Sequence, residues 1–546
     1  MLSAPFKVLD DQISILDNTQ IQSLRNIPAI FKTSFFGANR YYRPLVTLSF
    51  ALNYRWFGFN PFFFNLTNLF LHLLVSLLVF KSVSLILKNK VLGFLTALLF
   101  VIHPINAEAV SYIAGRSILL CAFFEWSSFI LYCLFREKKK IVYYALSLFC
   151  FCLALLSKES SVMLPFVLLA YEFFIKNFVR RDILKLVKNI SPFFVLLVTY
   201  AIIRKILGIV AIPHGFMLKD ILLGIATFLT SIFGYLRIFI FPYDLYFDRI
   251  FPLEKSFFSG SILGVVLIAC VCLFILIKLR KHIKKEMLFF LVFLVFTLFP
   301  VSQIIPLRLQ PGYIIFPNHF WYVPSVGIFA LFVIVSVFVY KRISPIIFRI
   351  MIILWFVLLS VTTIQENIYA TNEEAVIGKI LFYQPSHVRA HTIMGLKRAE
   401  EENFKEAEYH FEEALKADPF NARARISLGK ALVDQGQYWQ GISQYDQVVG
   451  AENLEKTLNE NKTKVYEILQ NKYEQMLKSD PENPSIYYSL GVVYSEKEEF
   501  LKAISLYQKT LLLDPSFDNA RQNLCYGYHM LGEGKKAQEC LEGKLP

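Results

Sequence analysis

Two adjacent carboxylates, Asp10 and Asp11, precede the first long apolar segment of the chain. A carboxylate placed beside a hydroxyl group can take its proton as a general base. Adjacent like charges also tend to raise the pKa of one member of a pair, which suits a base. We therefore predict a catalytic role for this acid pair.

Other ionisable side chains lie in or near the connections between apolar segments. They are Arg43, His103, Glu108, Arg116, Lys158, Glu159, Arg308 and His319. Such groups are costly at membrane depth, so each is a functional hypothesis, with helix-to-helix pairing as the alternative. For Lys158 and Glu159 the residues leave both roles open. For Asn68 and His72, one helical turn apart, we favour pairing.

The composition is that of a polytopic membrane protein. Of 546 residues, 55% are hydrophobic, and the mean hydropathy is +0.49. The apolar excess lies in runs long enough to cross a bilayer as helices. The segment 44–57 is a weaker candidate. The predicted membrane helices are 62–87, 91–107, 117–135, 141–157, 161–175, 190–211, 220–241, 261–279, 287–306, 321–340 and 345–366.

Basic clusters orient these helices. They begin at Lys81, Arg136, Lys176, Arg280 and Lys341. The positive-inside rule makes them cytoplasmic, so the other connections and the chain after 366 are predicted to face outward. The net charge of +14 is divided among short loops, which argues against nucleic-acid binding. The loop 176–188 is predicted to be cytoplasmic and the loop 241–258 to be external, yet two membrane helices are predicted between them. Two spans would return the chain to the same side, and hydropathy leaves this conflict open.

The C-terminal part repeats with a period of 34 residues. Pro385 and Pro419 have this spacing, and so do Pro481 and Pro515. Small residues, aromatic residues and a terminal proline in phase are typical of tetratricopeptide repeats (TPRs), which bind peptides. We predict a TPR domain over 367–546 and a protein partner for it. Its repeats are predicted at 388–421, 422–455, 450–483 (degenerate) and 484–517, with a cap at 518–543.

Cysteine and glycine patterns add little chemistry. The sequence has no Walker loop, no dinucleotide glycine fingerprint and no zinc-like Cys/His spacing. We therefore predict no metal ligands, and leave metal dependence open. Cys525 and Cys540 could pair in an oxidising compartment, but we expect free thiols.

An external acid pair with external cations fits sugar transfer from a polyprenyl phosphate. The donor's tail suits the bilayer, and Arg or Lys can bind its phosphate. A carboxylate would accept the proton of the acceptor hydroxyl, and a cation would stabilise the phosphate leaving group. The external TPRs suggest a protein acceptor. The alternatives are a non-catalytic, membrane-anchored TPR scaffold and, with less support, a transporter.

The order of the motifs resembles a known family. The paired acid is followed by YYRPL (41–45), HPINAEAVSYIAGRS (103–117), LLSKESSVMLP (155–165), YVPSVG (322–327) and the TPRs. This order is similar to that of the transmembrane and TPR-containing O-mannosyltransferase-like proteins of the GT-C glycosyltransferase superfamily. The resemblance implies an all-α, multispan GT-C-like domain, which we place at 1–366, and a polyprenyl-phosphate-linked sugar donor.

The resemblance also implies roles for the candidate residues. By this resemblance, Asp10 is the catalytic base and Asp11 is its partner. Six residues carry over as motif positions, for which we infer donor-phosphate binding or scaffolding: Arg43, His103, Glu108, Arg116, Lys158 and Glu159. His319 stands where relatives have an acid–Arg pair, and either replaces a cation or caps a helix.

Two further expectations concern an upstream membrane helix and the cellular location of the protein. The family normally has a membrane helix before the first-loop acid, and only nine residues precede Asp10, so we expect an upstream helix in the gene. We also expect a bacterial protein of the inner membrane, with its TPRs in the periplasm or exterior.

Overall fold

The computed structural model describes residues 2–6, 10–35, 41–209, 218–254, 256, 258–279, 283–302, 313–450 and 454–542. Arg308 lies outside these residues. The chain divides into two compact units, Met1–Pro385 and Ser386–Pro546. The first unit therefore extends beyond the predicted domain end at 366 and includes one further helix, Glu373–Tyr383.

The first unit is almost entirely helical, as predicted. A short antiparallel pair of strands, Ile250–Pro252 and Tyr313–Ile315, joins two of its loops. Its α-helices are Ile27–Ile30, Pro44–Phe57, Pro61–Leu87, Lys90–Ile102, Ala107–Ser111, Arg116–Lys138, Ile141–Leu155, Leu164–Ala170, Ile183–Ile206, Leu218–Ile240, Gly260–Leu279, Lys285–Leu298, Ser325–Tyr340, Pro345–Tyr369 and Glu373–Tyr383.

Five helices among the described residues are long and apolar enough to cross a membrane. They are Pro61–Leu87, Ile113–Lys138, Ile183–Ile206, Ile221–Ile240 and Pro345–Tyr369. A sixth span results if Lys90–Ile102 and Pro104–Ser111, which are bent by 55°, count as one. The chain is thus a multi-pass membrane protein.

Local chemistry explains where several predicted spans stop short. The run 91–107 ends as a helix at Ile102, because the residue before Pro104 takes an extended conformation. The run 161–175 divides into a 3-10 turn (Glu159–Met163), a short α-helix (Leu164–Ala170) and a π-helical turn (Tyr171–Ile175). An apolar run can predict burial, but it does not show whether the backbone stays helical.

The second unit is a series of antiparallel helices. Its helices are Val388–Glu400, Phe404–Ala417, Ala422–Asp434, Tyr438–Asp446, Glu455–Ser479, Pro484–Glu496, Phe500–Leu513, Asp518–Met530 and Gly534–Leu541. Small residues permit the close crossings: a Cβ on Gly395 would lie 2.6 Å from the Phe411 ring. The segment predicted as a degenerate repeat contains one 25-residue helix, Glu455–Ser479.

Cys525 and Cys540 form a disulfide, so the expectation of free thiols is wrong. The two residues lie on consecutive helices of a helical hairpin, which brings their Cα atoms to 5.5 Å. This distance is within the range that disulfides require. The sequence separation of 15 residues did not reveal it, because the contact depends on how the two helices fold back.

The disulfide should stabilise the last helical hairpin. Closing a loop of 15 residues is worth about 3 kcal/mol through the entropy of the unfolded chain. We expect the double variant Cys525→Ser/Cys540→Ser to lose protection from hydrogen exchange in 518–541 in the intact protein. Dithiothreitol should reproduce that loss in the wild type and add nothing in the double variant. Equal protection in oxidised wild type and double variant would contradict this expectation.

A second prediction concerns pH and the first helical pair of the second unit. His391 and His410 are buried there, with their Nδ1 atoms 3.0 Å apart. Burial lowers the pKa of His410, and the neighbouring His391 lowers it further. The unfolded chain therefore binds a proton more readily, so stability is complete above the unfolded pKa of about 6.5 and falls as the pH drops below it.

The measurement is hydrogen exchange of the segment 388–417 in the intact protein between pH 7.5 and pH 5, corrected for intrinsic exchange. We expect local opening to increase as the pH falls. His410→Gln, which cannot become charged, should show a weaker pH dependence. An unchanged pH dependence in that variant would disprove the assignment to this pair.

Candidate active site

The segment 103–116 organises the candidate site. His103 is fully buried, and its Nδ1 accepts a hydrogen bond from the Ile105 backbone N–H at 3.2 Å. Its Nε2 then carries the proton and donates to the Phe239 carbonyl at 3.1 Å. Both ring nitrogens are therefore used to hold the chain where it turns after the helix Lys90–Ile102. Of the two predicted roles, these contacts correspond to scaffolding.

Arg116 is also held internally and is fully buried. Its guanidinium donates to the Asn68 side-chain oxygen at 2.9 Å, to the Phe64 carbonyl at 2.7 Å and to the Asn53 side-chain oxygen. It also lies 4.8 Å from the centre of the Phe50 ring. Arg116 therefore joins three helices, again a scaffolding arrangement.

The two polar residues of the helix Pro61–Leu87 pair with other elements, as favoured from the sequence. The Asn68 side-chain oxygen accepts a hydrogen bond from Arg116, and its amide nitrogen donates one to the Tyr112 carbonyl at 3.0 Å. His72 has its Nδ1 2.7 Å from the Tyr322 hydroxyl. Both side chains thus connect this helix to distant parts of the chain.

The acid pair packs against the same segment. Asp11 is fully buried, and its Oδ1 accepts a hydrogen bond from the Ala114 backbone N–H at 2.9 Å. Asp10 is only partly buried, and its backbone N–H donates to the Tyr112 hydroxyl at 3.1 Å. The two acids therefore have different environments: Asp11 is enclosed, whereas Asp10 keeps some exposure.

Arg43 and Glu159 form an ion pair that joins two sequence motifs. Both Nε and one terminal nitrogen of Arg43 lie 2.9 Å from Glu159 Oε2. The other carboxylate oxygen accepts from the Tyr42 backbone N–H at 3.0 Å. Burial favours the neutral acid, but the Arg43 guanidinium outweighs it and holds the pKa of Glu159 below its ordinary value. Arg43 is thus largely neutralised in the structure.

Lys158 has a different environment from its neighbour. It lines an apolar pocket, which we call the lysine pocket. Among the residues that the structure describes, its ammonium group has no ion-pair partner; it lies 5.4 Å from the centre of the Phe320 ring. Burial, followed by the charge of Arg43, lowers the pKa of Lys158 to about 7. A bound anion would relieve both effects.

A second pocket lies beside the segment 103–116. We call it the glutamate pocket. Its polar and aromatic lining includes Glu108, Ser111, Tyr246, Phe247, Asn318, Glu366 and Lys379. All of these residues belong to the first compact unit.

Glu108 and His319 connect the two pockets. Glu108 Oε1 and His319 Nδ1 are 2.5 Å apart, although 211 residues separate them in sequence. Glu108 lines the glutamate pocket and His319 lines the lysine pocket. His319 therefore uses its ring to bind a carboxylate, and does not cap the short 3-10 helix Asn318–Trp321, whose N-cap is Pro317.

Glu125 was missed by the sequence reasoning. It lies in the middle of the helix Arg116–Lys138 and lines the lysine pocket together with Lys158. A lone carboxylate within an apolar run is the signal that could have found it. The residues of the glutamate pocket beyond Glu108 give no comparable signal, because their packing brings them together.

Comparison with protein families identifies the repeats. The tetratricopeptide repeat family matches at residues 398–454 and 484–517. Solved structures similar to the chain include a MamA protein (23% identity, TM-score 0.15, 28% of this chain and 88% of that one). Another is the TPR protein YrrB (15% identity, TM-score 0.16, 31% of this chain and 90% of that one).

Several curated relatives are named protein O-mannosyl-transferases. Human TMTC3 is 32% identical over 178 residues, which are 31% of this chain and 19% of that protein. Mouse TMTC1 is 35% identical over 187 residues (31% and 20%), and human TMTC4 is 32% identical over 183 residues (28% and 25%). The chain thus spans a fifth to a quarter of the length of these relatives. Over part of its length the chain is thus similar in sequence to proteins named O-mannosyl-transferases, and it carries tetratricopeptide repeats.

Proposed function

We propose that the chain is a membrane glycosyltransferase that moves a sugar from a polyprenyl phosphate to a hydroxyl group of a protein. The observation that carries this proposal is the Lys158 ammonium group in the apolar lysine pocket. An apolar pocket suits a lipid chain, and a cation that forms no salt bridge with the described residues suits its phosphate. The relatives named O-mannosyl-transferases make mannose the first sugar to test.

The chemistry assigns a role to each carboxylate of the acid pair. Asp10 accepts the proton of the acceptor hydroxyl while that oxygen forms a bond to the anomeric carbon. The bond from this carbon to the phosphate oxygen breaks, and the phosphate leaves with the electron pair. Lys158 stabilises the leaving charge. Asp11, held by the Ala114 N–H, positions its neighbour.

Contacts link Asp10 to the pockets. The Tyr112 hydroxyl accepts the Asp10 backbone N–H, and the Tyr112 ring packs edge-on against Phe247 at 4.8 Å. Phe247 lines the glutamate pocket, whose Glu108 pairs with His319 of the lysine pocket. A chain of contacts through the segment 103–116 thus connects the acid pair to both pockets.

We further propose that the TPRs bind the acceptor protein or a partner outside the cytoplasm. TPR stacks present surfaces for extended peptides. The Cys525–Cys540 disulfide supports an oxidising compartment for this unit. For a bacterial protein of the inner membrane, that compartment is the periplasm.

One observation favours the scaffold alternative. Asp11, Arg116 and the Arg43–Glu159 pair are committed to contacts within the chain, as a non-catalytic membrane anchor would require. A scaffold would retain these residues but would have no use for a cation in an apolar pocket.

Sugar transfer in membranes distinguishes the two functions. Membranes containing the chain would receive radiolabelled polyprenyl-phosphate-mannose, and labelled protein would be counted for the wild type and for Asp10→Asn/Asp11→Asn. Transfer that is lost in the double variant supports the enzyme. Transfer that persists in it contradicts the acid-pair assignment. No transfer from any of several sugar donors favours the scaffold.

A further inference from the structure

The glutamate pocket contains two buried acceptor atoms that lack donors. Glu108 is 8% exposed and Asn318 is 3% exposed. Glu108 Oε1 is hydrogen-bonded to His319 Nδ1, and the Asn318 amide nitrogen donates a hydrogen bond to the Tyr246 carbonyl at 2.9 Å. The remaining oxygens, Glu108 Oε2 and Asn318 Oδ1, have no hydrogen-bond partner among the described residues.

Such atoms are costly unless a ligand satisfies them. A buried polar atom without a partner costs roughly 1–3 kcal/mol, and more if it is charged. Both atoms belong to residues that line the same pocket. A carboxylate oxygen and an amide oxygen can only accept hydrogen bonds when the acid is ionised. A ligand that satisfies these two oxygens must therefore donate hydrogen bonds to them.

The other residues that line the pocket restrict the chemical class of the ligand further. Lys379 lies 2.6 Å from Glu366 Oε1, so the one lysine among these lining residues is already paired and is poorly placed to recruit an anion. Tyr246, Phe247 and Tyr369 add aromatic surface. Aromatic faces beside acceptor oxygens suit a neutral molecule that carries both C–H surface and hydroxyl groups.

We propose that the glutamate pocket binds a hydroxyl-bearing group through Glu108 Oε2 and Asn318 Oδ1. This inference rests on the proposed function, which supplies two such groups: the sugar of the donor, and the hydroxyl side chain of the acceptor protein. Glu108 acts in binding and orientation, and the Glu108–His319 contact couples this group to the occupant of the lysine pocket.

Glu108→Gln tests the pocket with minimal disturbance. The glutamine oxygen can still accept the His319 hydrogen bond, while its NH₂ group replaces the free acceptor with a donor. We expect the KM of the bound substrate to rise about 10- to 100-fold, the loss typical of a hydrogen bond to a charged group. Glu137→Gln, which alters an exposed carboxylate near the end of the helix Arg116–Lys138, is the matched control.

The kinetic result identifies the source of the hydroxyl group. A raised KM for polyprenyl-phosphate-mannose places the donor sugar in the pocket, and a raised KM for a threonine-containing acceptor peptide places the acceptor there. Unchanged KM values for both substrates, in a variant that folds like the wild type, would overturn the inference.

A binding measurement keeps this test separate from the proposed function. If the wild type transfers no sugar, the intact protein in detergent would be heated with methyl α-mannopyranoside or N-acetylthreonine amide. Thermal stabilisation of the wild type that Glu108→Gln abolishes supports the pocket even without transferase activity. No stabilisation of the wild type by either probe would overturn it.

Discussion

Replacing Lys158 with glutamine should reduce sugar transfer by about 10²- to 10³-fold, the usual cost of removing one group that stabilises transition-state charge. Glutamine fills a similar volume but brings no positive charge to the lysine pocket. Among the described residues, the nearby Arg43 is no ready substitute, because it is already paired with Glu159 at 2.9 Å. Initial rates over a range of donor concentrations measure the effect.

The pH dependence gives this prediction a second readout. Burial, together with the charge of Arg43, lowers the pKa of Lys158 to about 7 in the ligand-free protein. The ammonium form binds phosphate, so kcat/KM for the donor should fall as the pH rises above about 7. Lys158→Arg should retain part of the activity and lose that fall, because an arginine stays charged.

The matched control for Lys158 is Lys138→Gln, which removes an exposed cation at the end of the helix Arg116–Lys138. Its rate should stay near that of the wild type. Transfer by Lys158→Gln within twofold of the wild type would exclude Lys158 as the phosphate-binding group.

The second large effect is expected at Asp10. Asp10→Asn cannot accept the acceptor proton, so kcat should fall about 10²- to 10⁴-fold, the range for general base catalysis. The variant keeps the hydrogen bond from the Asp10 backbone N–H to the Tyr112 hydroxyl. Asp11→Asn should reduce both transfer and thermal stability, because its carboxylate is fully buried against the Ala114 N–H.

Thermal unfolding and single-turnover rates of both variants separate these roles. Asp17→Asn, which alters an exposed acid of the same segment, is the control. An unchanged kcat in Asp10→Asn would exclude Asp10 as the general base. Full activity in a stable Asp11→Asn variant would exclude the positioning role of Asp11.

Features with a local period could be predicted from sequence. The TPRs form because small and aromatic residues recur in phase, and each contact, such as Gly395 with Phe411, lies within one helical pair. The apolar runs likewise predict which segments are candidates to cross a membrane. Their exact ends depend on local breakers such as Pro104, so the predicted spans overran them.

The site residues show the limit of this reasoning. The motifs pointed to Arg43, His103, Glu108, Arg116, Lys158, Glu159 and His319, but residue type could not separate phosphate binding from scaffolding. The structure separates their environments: His103 and Arg116 are enclosed by internal hydrogen bonds, whereas Lys158 lines a pocket. Their catalytic roles stay predictions.

Hydropathy and repeat period are properties of neighbouring residues, so they are enough to predict the membrane class, the helical repeats and the set of costly polar residues. Which of those polar residues meet depends on the tertiary fold. Glu108 reaches His319 across 211 residues, and Glu159 reaches Arg43 across 116. Such contacts depend on how distant helices pack, and the same packing leaves Lys158 in one pocket and two orphan oxygens in the other.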